Sequence, residues 1–118
     1  MDTYYRYYEL KGIGIFEFLH DKLNFDDSSE TVEDIKNIIS KKNLGNFILN
    51  INKIATIDSV GIGYLIAMKN AAVKKKSNIF LVSDSDLALK VLSITRMDSF
   101  FKIFRSFDEA VASAADIK

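Results

Sequence analysis

The chain contains no cysteine, no proline and no tryptophan, and it has one histidine among its 118 residues. Without cysteine there is no thiol nucleophile, no disulfide and no thiolate metal site, so packing alone must hold the fold. The lack of cysteine also fits a cytoplasmic location, which we expect for this protein. Because no proline-rich stretch suggests a rigid linker, we expect one domain over residues 1–118.

The chain also lacks net charge, since lysine and arginine together number 16 and so do aspartate and glutamate. A balanced charge gives no long-range attraction to nucleic acid or to an anionic membrane surface. No apolar run approaches the roughly 20 residues of a membrane span, and the N-terminal segment has no signal-peptide core. We therefore expect no direct nucleic-acid binding, no membrane span, and other proteins as partners.

Little in the sequence suits catalysis. There is no nucleophile–base pair, no P-loop, and His20 is the only imidazole. Asp21, Asp26 and Asp27 are expected to lie in a polar loop rather than at a metal site. We therefore expect a binding protein and not an enzyme, with no metal and no cofactor.

Apolar patterning predicts strands that alternate with helices. Residues 4–10 and 14–19 are rich in aromatic and β-branched side chains, and a turn at 11–14 joins them into an antiparallel hairpin. Continuous apolar runs at 47–51 and 79–82 predict strands buried on both faces. A short strand is expected at 102–104.

Four helices are predicted between and after these strands. They start at a cap on Ser28 or Ser29, at Ser59, at residues 84–86 and at Ser106. The third carries apolar residues at Leu87, Val91, Leu92 and Ile94. The order indicates an α/β fold: a mixed, mostly parallel sheet of four to five strands, with the N-terminal hairpin at its edge and about four helices packed on it.

The most informative segment is residues 57–65, IDSVGIGYL. It places the Ser59 hydroxyl at the start of a helix, where backbone N–H groups and the helix dipole can stabilise an anion. Asp58 and Ser59 are also favoured helix caps, which is the simpler interpretation. Gly61 and Gly63 each cost about 1 kcal/mol in a helix relative to alanine. Either a partner's backbone approaches them closely or the helix start packs tightly on the sheet.

Three segments in this order resemble the STAS domain, the fold of bacterial anti-sigma factor antagonists. Residues 50–65 resemble the family's strand, its aspartate-serine-serine (or threonine)-glycine-leucine-glycine turn and the following helix. Residues 79–82 with 91–101 are similar to its fourth strand and its "valine-leucine … glycine-leucine … phenylalanine" segment. Residues 103–110 resemble its last strand and the aspartate-glutamate-alanine start of its last helix. The resemblance covers nearly the whole chain.

The resemblance implies a phosphorylation switch with Ser59 as the phosphoacceptor. In the family, the unphosphorylated protein binds an anti-sigma factor that is also a serine kinase, and the sigma factor is released. Phosphorylation breaks the complex, and a serine phosphatase restores it. The implied partner-binding residues are Asn24, Asp58, Ser59, Val60, Gly61, Ile62, Gly63 and Tyr64.

Two departures from the family pattern keep an alternative open. Val60 stands where the family often has a second hydroxyl, and Asn24 stands where many antagonists have an aspartate. Both favour a non-switching STAS scaffold or transporter-associated subunit, in which Ser59 is only a cap. A phosphorelay receiver with Asp58 as acceptor is a third hypothesis. A receiver needs an acidic pair at the end of its first strand to bind Mg²⁺, whereas Asp26 and Asp27 follow a hairpin here. The tyrosines at 4–8 leave a homodimer open.

Overall fold

The computed structural model describes residues 4–23 and 25–115, and it describes only the backbone of residues 25–28. The strands are Tyr5–Leu10 (β1), Ile13–Phe18 (β2), Lys22–Leu23 (β3), Asn46–Asn50 (β4), Thr56–Ile57 (β5), Asn78–Val82 (β6) and Lys102–Phe104 (β7). The helices are Phe25–Lys41 (α1), Ser59–Lys74 (α2), Asp86–Ile94 (α3), Met97–Phe100 (α4) and Phe107–Ala115 (α5).

Five strands form the main sheet in the order β1-β2-β4-β6-β7. β1 runs antiparallel to β2, and every other neighbouring pair is parallel. The predicted α/β fold, with a mostly parallel sheet and an N-terminal hairpin, is confirmed. The structure has one helix more than the sequence pattern predicted, the four-residue α4. β3 and β5 form a separate two-stranded parallel sheet that was also missed.

The hairpin turn is shorter than predicted, because Ile13 and Gly14 already belong to β2. Lys11 and Gly12 have φ values of 54° and 76°. Positive φ at both central residues is the pattern of a type I′ turn, whose twist matches that of the two strands. Gly14 is required by packing, since a Cβ there would lie 2.5 Å from Cδ1 of Phe47.

The sheet is buried on both faces. On β4, Phe47 and Leu49 belong to the core cluster beneath α1 to α4, whereas Ile48 belongs to a second cluster beneath α5. All three side chains are fully buried. The alternation follows from the strand geometry, in which successive side chains point to opposite faces. Burial of β4 on both faces was predicted and is confirmed.

Helix α1 begins at Phe25, so the predicted cap at Ser28 or Ser29 is wrong and both serines lie inside the helix. The predicted polar loop ends earlier than expected for the same reason. Acidic residues at positions 26 and 27 suggest a loop in the sequence, but they are also favoured in a first helical turn.

Candidate functional site

The candidate site lies where the chain passes from β4 to α2. Here β3 is bonded to the segment that precedes the helix. The carbonyl of Asp21 accepts hydrogen bonds from the backbone N–H groups of Ala55, at 2.8 Å, and Thr56, at 3.2 Å. The carbonyl of Leu23 accepts one from the N–H of Asp58, at 3.3 Å. These bonds fix the segment that precedes α2 against β3 and the residue before it.

Asp58 is the N-cap of α2. Its backbone is extended, with φ −93° and ψ −178°, and its Oδ1 accepts a hydrogen bond from the N–H of Gly61 at 2.7 Å. This bond satisfies one of the backbone donors that the first helical turn leaves without an intrahelical partner. The cap interpretation is confirmed for Asp58. A carboxylate held in this way does not favour the receiver hypothesis, in which Asp58 would accept a phosphoryl group.

Ser59 is the first residue of α2, one position after the cap, and it is exposed. Its hydroxyl makes no hydrogen bond within the part of the chain that the structure describes. Since Asp58 supplies the cap, none of the described contacts of the fold uses the Ser59 hydroxyl. The hydroxyl is therefore open to solvent and to an approaching protein.

The two glycines of the motif have different surroundings. A Cβ on Gly61 would lie closer than 3.0 Å to the carbonyl oxygen of Leu23 and would meet Cγ2 of Ile57 at 3.0 Å. Tight packing of the helix start therefore explains Gly61. Gly63 is exposed, and a Cβ there would meet nothing within 4 Å. Within the described residues, the fold itself gives no reason for a glycine at position 63.

The structure brings most of the predicted partner-binding residues onto the first turns of α2. Three groups can be separated by exposure. The exposed residues are Asp58, Ser59, Val60 and Gly63. Ile62 and Tyr64 are half-buried and pack against the core, while Gly61 is buried. Asn24 lies outside the described residues.

An exposed apolar stripe on α3 was missed by the sequence pattern. Leu87 and Ile94 were expected on the apolar face, but they are 64% and 70% exposed. The buried positions of this helix are Ala88 and Leu92. Helix α3 also contacts β5 and so borders the start of α2. Val60, at the start of α2, is a further exposed apolar side chain, with 36% of its surface exposed.

The described side chains include no group of three or more histidine, aspartate or glutamate residues placed to hold a metal ion.

None of the helices in residues 4–23 and 25–115 is both long and apolar enough to cross a membrane.

The sequence model of the STAS domain family matches residues 4–110. An anti-sigma factor antagonist from Mycobacterium paratuberculosis has a similar structure, with a TM-score of 0.82 at 13% identity over 95% of this chain and 93% of that chain. The anti-sigma factor antagonist SpoIIAA in its unphosphorylated form gives 0.78 at 15% identity over 97% of this chain and 98% of that chain. A sulfate transporter family protein from Wolinella succinogenes gives 0.71 at 19% identity over 87% and 84%. At these identities the structural similarity establishes the fold.

Proposed function

This chain belongs to the STAS domain family, and we propose that it is an anti-sigma factor antagonist whose partner binding is switched by phosphorylation of Ser59. STAS domains are in general binding domains, and the proposed activity is binding. The unphosphorylated protein binds an anti-sigma factor that is also a serine kinase, which frees a sigma factor for transcription. A serine phosphatase reverses the modification.

The observation that carries this proposal is the position of Ser59. Its hydroxyl is exposed, makes no hydrogen bond within the described residues, and sits directly after a cap that Asp58 already provides. An exposed serine in a family motif, whose hydroxyl has no hydrogen-bond partner among the described residues, is suited to modification. Thr56, the other hydroxyl of this loop, is held in β5, where its N–H donates to the carbonyl of Asp21.

The surface around Ser59 supports a protein partner. Val60 offers an exposed apolar side chain, and the bare backbone of Gly63 lets another chain approach the helix closely. Helix α3, which contacts β5, carries two more exposed apolar side chains, Leu87 and Ile94. We assign the kinase to the surface formed by residues 58–64, at the start of α2, and by the exposed side chains of α3.

Phosphorylation would oppose binding at this surface for electrostatic reasons. The phosphate adds about −1.5 to −2 charges at neutral pH. The carboxylate of Asp58 is adjacent in sequence and already accepts the N–H of Gly61, so the phosphate meets a like charge. An unpaired charge buried at an interface costs roughly 2–5 kcal/mol, which corresponds to an affinity loss of about 30-fold or more.

The test is phosphopeptide mapping of the protein isolated from its own cells across growth and stress conditions. Wild type and a Thr56→Ala control should carry phosphate on Ser59, whereas Ser59→Ala should carry none in this segment. Thr56→Ala removes a neighbouring hydroxyl of the same loop, so it separates loss of the acceptor from disturbance of the loop. Phosphate on the segment in Ser59→Ala, or an unmodified Ser59 under every condition, would contradict the proposal.

A second candidate is a STAS module without a switch, acting as a scaffold or as a subunit associated with a transporter. The Wolinella neighbour and the absence of a hydroxyl at Val60 favour it. Ser59→Asp discriminates between the two functions. A scaffold would keep its partner when this charge is added, and a switch protein would lose it.

A further inference from the structure

The outer strand β1 has a free hydrogen-bonding edge. In a hairpin with a two-residue turn, the residues that flank the turn, here Leu10 and Ile13, bond to each other through their backbone N–H and C=O groups. Such hydrogen-bonded pairs recur at every second residue along an antiparallel pair of strands. The bond from the N–H of Leu19 to the carbonyl of Tyr4, at 2.8 Å, belongs to the same series. Residues of β1 with even numbers therefore bond to β2.

The odd-numbered residues Tyr5, Tyr7 and Glu9 consequently direct their N–H and C=O groups away from β2. Within the described residues, no strand lies beyond β1 in the main sheet. The result is a row of unpaired backbone donors and acceptors along one side of the molecule.

Among the described residues, this edge has little of the usual protection against strand pairing. Natural edge strands are made short, are interrupted by bulges, are covered, or carry charged side chains (lysine above all) or proline. β1 has six residues, pairs continuously with β2, and contains neither lysine nor proline. Its two charged side chains, Arg6 and Glu9, already form ion pairs with Glu17 and Lys42. The opposite edge strand, β7, has three residues and begins with Lys102. One of the two edges is therefore blunted and the other is open.

We propose that β1 is the site at which two copies of this chain associate, by antiparallel pairing of their β1 strands about a two-fold axis. This arrangement joins the two sheets into one continuous sheet. Because the described part of the main sheet has one open edge and the pairing uses it on both copies, the assembly closes at a dimer.

The side chains favour a register centred on Tyr7. Residues whose backbone groups point away from β2 pair only with one another across the interface. Tyr7 therefore faces Tyr7 of the second copy, and Tyr5 faces Glu9 of the second copy. In this register all three residues form backbone hydrogen bonds with the second copy. A register centred on Arg6 would place two guanidinium groups opposite each other, which is unfavourable. A register centred on Tyr8 would pair only Tyr7 with Glu9 and leave Tyr5 without a strand partner.

Two further observations fit the Tyr7-centred register. Arg6 and Glu9 carry opposite charges, so the strand is neutral and two copies do not repel each other. Arg6 already lies over the Tyr8 ring of its own chain, 5.4 Å from the centroid, and in the dimer it faces Tyr8 of the second copy. An open groove of about 270 Å³, lined by Arg6, Tyr7 and Tyr8, lies at the centre of this edge.

The first test compares Glu9→Pro with Glu9→Ala by sedimentation equilibrium over a concentration series. Both variants lose the carboxylate that pairs with Lys42, but only proline removes the outward N–H, and that N–H makes no bond to β2. Wild type and Glu9→Ala should both dimerise, and Glu9→Pro should dimerise at least about tenfold more weakly than Glu9→Ala. A monomeric wild type at every concentration, or equal association of the two variants, would overturn the proposal.

The second test uses the absence of native cysteine, so that any disulfide reports an introduced thiol. Under mild oxidation, Tyr7→Cys should form a disulfide-linked dimer, because directly opposed strand residues lie within disulfide range. Lys102→Cys, on the other edge strand, is the matched control and should stay largely unlinked. Equal cross-linking of the two variants would show that the copies meet elsewhere. This outcome does not depend on proline being tolerated in β1.

Discussion

Replacing each motif glycine by alanine separates the two reasons for a glycine at the start of α2. At Gly61, the new Cβ would enter the space of the Leu23 carbonyl oxygen, closer than 3.0 Å. That oxygen belongs to the backbone of β3 and accepts the N–H of Asp58, so it cannot swing aside as a flexible side chain would. At Gly63, the new Cβ meets nothing within 4 Å.

The expected effects on stability have opposite signs. Alanine gains roughly 1 kcal/mol of helix propensity over glycine at either position. Overpacking at Gly61 costs about 1–3 kcal/mol. If the new methyl group pushes β3 away from the β5 segment, each backbone hydrogen bond that breaks between them costs about 1 kcal/mol more. We therefore expect Gly61→Ala to destabilise the protein by about 3 kcal/mol and Gly63→Ala to stabilise it by up to about 1 kcal/mol.

Thermal unfolding followed by circular dichroism measures this difference. For a domain of this size, 1 kcal/mol shifts Tm by about 4 °C, so Gly61→Ala should melt about 12 °C below wild type and Gly63→Ala slightly above it. The reasoning is refuted if Gly61→Ala is as stable as wild type, because Leu23 would then not restrict that position. Should Gly63→Ala also reduce phosphorylation of Ser59 in cells without loss of stability, the bare backbone at position 63 serves the partner and not the fold.

Two smaller effects follow from the same structure. Asp58→Ala removes the side chain that caps α2, so it should lower the unfolding free energy, measured with urea, by about 1 kcal/mol. Asp58→Asn keeps a capping oxygen and should keep most of the stability. Equal losses in the two variants would mean that the negative charge matters more than the cap. Arg96 has a φ of 62° before α4 and makes no side-chain cap, so Arg96→Gly should raise the unfolding free energy by about 0.5–1 kcal/mol, and a decrease would contradict left-handed strain at this residue.

The candidate site was predictable to the extent that it is local. The N-cap preference of aspartate is a property of a few consecutive residues, so Asp58 and the start of α2 could be inferred from the sequence. The pairing of β3 with β5 could not, because two-residue strands have no periodicity. The exposure of Leu87 and Ile94 was also unpredictable, since an apolar stripe shows which residues share a helix face but not whether another element covers that face.

The sequence by itself determined the α/β class, the burial of β4 on both faces and the placement of Ser59 at the start of a helix. Each depends on the spacing of apolar residues along one segment or on the preferences of neighbouring residues. Only the tertiary structure decided that Gly61 must stay small beside β3. It also decided that, among the described residues, nothing crowds Gly63 and no strand lies beyond β1. Those facts depend on contacts between segments distant along the chain, and local patterning carries no information about which of them meet.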